Sequence, residues 1–169
     1  LRVFGNRQAD VCRSDLEVSL APLDPAAVAA VIADIEPKPF AGTPLAESIQ
    51  LAAQDLAGAS GARTLILITD GEESCDGDVE AAITELRSAG VDVVLNIIGF
   101  DFDATDPEAA RERFREWASL GGGQYFDASD AAELADALEQ SVAVGYEVVD
   151  AAGNVVGRGI VDGPAVEVP

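Results

Sequence analysis

Histidine is absent from the 169 residues. Without an imidazole, the chain cannot itself build a Ser-His or Cys-His catalytic pair, or a metal site held by imidazole. Cations are scarce: ten Lys+Arg, with Lys38 the one lysine, face 31 Asp+Glu, for a net charge of −21. A field of that sign repels phosphate backbones and anionic lipid heads, which argues against nucleic acid or a membrane surface as partner. It attracts cations and basic proteins; the plainer reading is a surface that keeps the protein in solution. No apolar run reaches the ~18 residues that a bilayer span needs. No G-x-G-x-x-G or G-x-x-x-x-G-K-[ST] loop is present to cradle phosphate. The first residue is Leu1, with no signal peptide before it, so a mature or trimmed stretch of chain is expected.

What is there reads as one globular domain with a short appendage, 49% hydrophobic and 24% charged. A chain of this size buries enough surface to need no metal or disulfide for its core. Leu1 to Phe4 predicts a short strand. Leu16, Val18 and Leu20 alternate with polar residues, predicting a strand with one wet face. Asp24-Pro25 starts a helix with Val28, Val31, Ile32 and Ile35 as its inward stripe. Gly42-Thr43-Pro44 opens a helix with Leu45, Ile49, Ala52 and Leu56 inward. Thr64 to Thr69 and Val91 to Phe100 are continuous apolar runs, the mark of strands buried on both faces. Between and after them, Asp78, Asp106-Pro107 and Ser129 open three more amphipathic helices, the last with Leu134, Leu138 and Val142 inward. Strand and helix in alternation predict an α/β fold: a Rossmann-like, mostly parallel sheet with helices on both faces, over residues 1–143. The pattern then changes. Residues 144–169 predict a β-rich tail, a hairpin around Gly153-Asn154 and the start of a possible β-sandwich module.

In an open parallel sheet, ligands collect at the carboxyl ends of the strands. Two loops there are acidic: Asp70, Glu72, Glu73, Asp76, Asp78 and Glu80, then Asp101, Asp103, Asp106 and Glu108. Hard oxygen donors in such number suit Mg²⁺, Mn²⁺ or Ca²⁺. For Asp78, Asp106 and Glu108, helix capping alone accounts for the residue type. Asp101-x-Asp103-x-Thr105 with Glu112 imitates a calcium loop, but Asp106 stands where the turn glycine belongs and Pro107 begins a helix.

The stretch RTLILITDGEESCDGD at 63–78, preceded by AGTPLAESIQLAAQDL at 41–56, resembles a von Willebrand factor A domain. LRVFGNR at 1–7, DVVLNIIGF at 92–100 and GGGQYFDAS extend the resemblance to residues 1–142. It implies a metal-ion-dependent adhesion site: a divalent cation above the sheet whose open position takes a carboxylate from a partner protein. Thr43 matches the motif's second part, a hydroxyl ligand, and Asp70 its third, a carboxylate that reaches the metal directly or through water. Glu72, Glu73, Asp101 and Asp103 form an acidic rim around them. The first part, D-x-S-x-S, has no match; Asp127-Ala128-Ser129-Asp130-Ala131 comes nearest and reads as a capping turn. Leu1 to Phe4 resembles the family's second strand, so the central strand and its ligands are expected upstream. The bacterial, exported branch is the nearer likeness, through the placement of Cys12 and Cys75. A Cys12–Cys75 bridge is expected, in periplasm, cell surface or medium, with two reduced thiols as the alternative.

The resemblance implies a metal-dependent protein-binding module and no enzyme. Two other readings stay open. One is a scaffold domain without a working metal site. The other is a Mg²⁺-dependent phosphoryl hydrolase using Asp70, for which the sequence offers no basic residue nearby except Arg63, at the far end of the strand.

Overall fold

A computed structural model describes residues 1–88, 93–101, 107–150 and 155–161. It contains β1 (Arg2–Phe4), β2 (Ser14–Leu16), α1 (Pro25–Ala33), α2 (Leu45–Leu56), β3 (Arg63–Thr69), α3 (Val79–Ser88), β4 (Val93–Phe100), α4 (Pro107–Leu120), β5 (Gly122–Ala128), α5 (Ala131–Val142), β6 (Val144–Val149) and β7 (Val155–Val161). Strands β3, β4 and β5 form a parallel sheet in that order, the α/β architecture anticipated above. None of the helices described is long and apolar enough to cross a membrane.

The core follows from the helix stripes. On one side, Leu45 and Ile49 of α2, Val79, Ile83 and Leu86 of α3, and Phe114 and Trp117 of α4 close over Val93, Leu95 and Ile97 of β4. On the other, Ala137 of α5 meets Ile98 and Ala128, with Leu134 and Leu138 packed around them. Strand β4 is therefore the doubly buried centre of the sheet. Its one polar residue, Asn96, is buried and hydrogen-bonded through both its nitrogen and its oxygen. The side-chain amide donates to the Ser141 carbonyl at 2.7 Å, and its Oδ1 accepts from Gln124 N–H at 2.9 Å. That clip sits where the β4–β5 register shifts between Leu95 and Ile97.

Tyr125 of β5 lies beside Phe114, ring centroids 6.0 Å apart, and its hydroxyl donates to Asp127 at 3.2 Å. Burial, and then the Asp127 carboxylate, push its phenol up to about 12. The folded value lies above the ~10 of an unfolded tyrosine. Its contribution to stability is therefore complete below pH ~10 and lost as pH rises through about 12. Followed by phenolate absorbance, one of the two tyrosines should ionise near pH 12. Ionisation of both near pH ~10 would contradict this packing.

Several elements depart from the sequence reading. The second strand is Ser14–Leu16 and stops before Val18 and Leu20, because β1 offers only three partners and Leu1 C=O then takes both Glu17 and Val18 N–H. In α1, Asp24 caps Ala27 N–H as expected, yet no residue of the helix is buried, and Ile32 is 53% exposed. Val142 of α5 likewise points outward. The apolar run of β3 predicts burial on both faces, and the structure differs. The strand forms the edge of the three-stranded sheet, and Ile68 is 39% exposed. On α4, Arg115 pairs with Glu108 and Glu112, and Arg111 reaches Asp127 of β5.

The antiparallel hairpin β1–β2 is a sheet of its own. Between it and the β3 edge runs an apolar groove of about 470 Å³, lined by Val3, Phe4, Leu16, Leu65 and Leu67 among others. Two buried hydroxyls on its wall, Ser14 Oγ and Ser48 Oγ, have no hydrogen-bond partner among the described residues. Arg2 reaches past it to Asp55 of α2, with contacts of 2.5 and 3.1 Å, and also donates to Ser14 C=O. At the other end of the chain, β6 and β7 pair antiparallel, as the alternation around Gly153-Asn154 predicted. Gly153-Asn154 itself and the strand expected from Val166 lie outside the described residues.

Candidate functional site

The parallel sheet delivers its strand ends to one edge. Thr69 is level with Gly99 and Phe100 with Ala128. Asp70 and Asp101 therefore leave neighbouring strands side by side, and both are exposed. Asp101 turns there with a positive φ of 44°, and its N–H donates to Ala128 C=O at 2.8 Å. Thr69 shapes the Asp70 turn locally: its hydroxyl donates to Gly71 C=O at 2.8 Å and accepts from Gly71 N–H at 3.3 Å.

Thr43 comes to the same edge from the start of α2. Its hydroxyl lies 3.8 Å from where a β-carbon on Gly71 would stand. Two bonds fix this approach: Thr43 N–H donates to Ser74 Oγ at 2.8 Å, and Ser74 N–H donates to Thr43 C=O at 3.2 Å. The Thr43 hydroxyl thus stands beside the turn that directly follows Asp70, 27 positions further along the chain.

Below them is the disulfide between Cys12 and Cys75, Cα atoms 5.8 Å apart. It packs onto Gly42: a β-carbon there would fall 2.5 Å from Cys75 Sγ and 2.7 Å from Cys12 Sγ. Gly42 N–H donates to Val11 C=O at 3.0 Å. The bridge, a glycine beside it and the Ser74 bonds together hold Thr43 in place.

The acidic rim is less uniform than its sequence suggests. Glu73 turns inward. Its carboxylate accepts from Ala46 N–H at 2.9 Å and Cys75 N–H at 2.7 Å, capping α2, whose own N-cap residue, Pro44, makes no side-chain cap. Glu72 pairs with Arg113 of α4. Asp103 lies outside the described residues. Among the described residues, no group of three or more Asp, Glu, Cys or His is placed to hold a metal ion. Asp127 binds Arg111, Asp130 caps α5, and Glu133 reaches back to Ser129, so D-A-S-D-A is a capping turn, as read from sequence. Ser74 was missed in that reading; the signal available was a hydroxyl four residues after a T-D turn, within reach of a helix start.

The sequence model of the von Willebrand factor type A domain matches residues 17–140. The chain belongs to that family. Domains of this family are in general protein-interaction modules and not enzymes. The chain is 39% identical to the Bacillus subtilis (strain 168) uncharacterized protein YwmD over 107 residues, 62% of this chain and 46% of that protein. It is 35% identical to uncharacterized protein YwmC of the same organism over 92 residues, 53% of this chain and 38% of that one. It thus spans less than half the length of either. A solved structure of an aerotolerance-related membrane protein from Bacteroides fragilis NCTC 9343, with multiple mutations to serines, is also similar. The TM-score is 0.46 and the identity 23%, over 69% of this chain and 67% of that one.

Proposed function

We propose that this von Willebrand factor A domain binds a partner protein at the carboxyl edge of its sheet, through a divalent cation, Mg²⁺ or else Mn²⁺ or Ca²⁺. Thr43 and Asp70 supply its ligands, and a carboxylate of the partner completes its shell. The observation that carries the reading is the Thr43 hydroxyl held beside Gly71 by the paired Thr43–Ser74 bonds. One neutral oxygen and one carboxylate are hard donors that suit these ions and leave most of the charge uncompensated, so the ion still seeks an anion. They are also only part of a six-ligand shell, so cations should bind this chain weakly. The disulfide supports an extracellular, periplasmic or cell-surface setting.

Titration with Mn²⁺, read as paramagnetic broadening of backbone amides, should affect Thr43, Leu45 and Asp70 to Glu72 first. Asp70→Ala should weaken that broadening roughly tenfold, and Thr43→Val by less, the removal of a charged ligand outweighing that of a neutral one. Uniform broadening, or broadening that Asp70→Ala leaves intact, would sink the reading.

A scaffold domain without a working metal site is the second reading. It is favoured by the lack, among the described residues, of three clustered acidic ligands, and by the use of Glu73 as a helix cap. The phosphoryl hydrolase reading has less support: Arg63 turns to Ala59 C=O at the amino end of β3, and Arg113 is paired with Glu72.

A further inference from the structure

Among the described residues, four other than glycine hold a positive φ: Asp10, Phe40, Asp76 and Asp101. Aspartate takes that conformation readily, because its short polar side chain can bond locally. Phenylalanine does not, so the left-handed backbone at Phe40, φ 56°, is strained. Packing does not repay the strain. Phe40 is 87% exposed, more than any other large apolar side chain among the described residues.

Its backbone is nonetheless firmly held. Lys38 N–H donates to Gly5 C=O at 2.7 Å, Asp10 N–H to Pro39 C=O at 3.4 Å, and Gly42 N–H to Val11 C=O at 3.0 Å. The chain on both sides of Phe40 is thus tied to residues 5–11, and Gly42 lies against the disulfide. A single exposed apolar side chain is ordinary. Strain, rigidity and place set this one apart. Phe40 stands three positions before Thr43, so their Cα atoms are no more than about 11 Å apart. An aromatic ring on a fixed backbone offers contact area at little entropic cost, which is the property of an interface anchor.

We propose that Phe40 anchors the partner protein by taking an apolar side chain that lies within two or three residues of the carboxylate on the cation. The proposal rests on the cation reading of Thr43 and Asp70 and adds a second requirement to it. The partner's segment is an acid flanked by a leucine-like residue, not any exposed carboxylate. A domain of net charge −21 repels acidic chains, so uncharged contact has to add to what the ion supplies.

The intact chain, in excess Mg²⁺, is titrated with acetyl-Leu-Gly-Asp-Gly-Leu-amide and with acetyl-Gly-Gly-Asp-Gly-Gly-amide, and backbone amide shifts are followed. Leucine on both sides of the acid lets either chain direction reach the ring. Both peptides should shift Thr43 and Asp70. The leucine peptide should bind roughly threefold to tenfold tighter, as for partial burial of one leucine on an aromatic face, with contacts from its methyls to the Phe40 ring. Phe40→Ser should bring its affinity down to that of the glycine peptide. Phe40→Gly should do the same without a marked fall in melting temperature, since glycine takes this φ unstrained. Equal affinity for the two peptides, or a preference that survives Phe40→Ser, would overturn this proposal and leave the cation reading standing. A marked fall in melting temperature for Phe40→Gly would show that the ring packs on its own domain, and would overturn it too. No shift at Thr43 and Asp70 with either peptide would sink the cation reading and this proposal with it.

Discussion

Reduction of the Cys12–Cys75 bridge should lower the stability of this domain by about 4 kcal/mol, the chain entropy released when a link of this span is opened. The two cysteines are 63 positions apart, so the bridge closes a long loop that includes β2, α1, α2 and β3. For a domain of this size, such a loss corresponds to a melting temperature lower by roughly 10 °C. The effect should extend to the strand-end edge. With the bridge gone, Gly42 loses the sulfurs packed on it, and Thr43 is left with its Ser74 bonds. Calorimetry with and without reductant, and on Cys12→Ser with Cys75→Ser, measures the first effect; Mn²⁺ broadening at Thr43 measures the second. An unchanged melting temperature would mean that the hairpin contributes little to the cooperative unit.

The second large effect is expected at Asn96. Asn96→Leu keeps the branched shape of the side chain but leaves Gln124 N–H of β5 and Ser141 C=O of α5 without these partners. At about 1–3 kcal/mol for each stranded group, the loss should approach 4 kcal/mol. Gly123→Ala tests the same clip from the other side. A β-carbon there would fall 2.1 Å from Leu95 C=O and 2.5 Å from Asn96 Oδ1, both closer than any side chain tolerates. Strand β5 would have to leave its register, and denaturant unfolding should report a loss at least as large as that of Asn96→Leu. If both variants melt like the parent, the register shift between Leu95 and Ile97 is held by something else.

Much of this architecture is legible in residue order because the helices have strong stripes. Leu45, Ile49 and Ala52, or Ala110, Phe114 and Trp117, fall on one face at helical spacing and are buried there. Strand β4 is legible for the opposite reason: eight residues with a single polar side chain can only be a core strand. The same logic misplaces β3. TLILIT has the composition of a central strand, and composition carries no information on which neighbours are present. In the structure, that strand has β4 on one side and an open groove on the other. The stripe of α1 fails similarly, since periodicity announces a packing face but not its partner.

The candidate site divides along the same line. Thr43 and Asp70 are readable as a pair through a family motif, and the turn at Gly71 brings their segments together. Glu73 is not readable. In the string D-G-E-E it looks like one more acid on a rim, but the start of α2 lacks a capping side chain, and a carboxylate from across the loop supplies it. Nor does an acid's neighbour in sequence reveal its cation: Glu72 is neutralised from α4, 41 positions away. Side chains that satisfy distant backbone groups leave no periodic trace in the sequence.

The groove between the hairpin and β3 has a mechanical consequence. With no ladder of hydrogen bonds between the two sheets, the β1–β2 hairpin is stitched on at separate points, Arg2 to Asp55 on one flank and Cys12 to Cys75 on the other. The second stitch runs into the segment that carries Thr43, through Gly42 and Val11. Any tilt of the hairpin therefore tugs on Thr43, and whatever grips Thr43 damps that tilt in return.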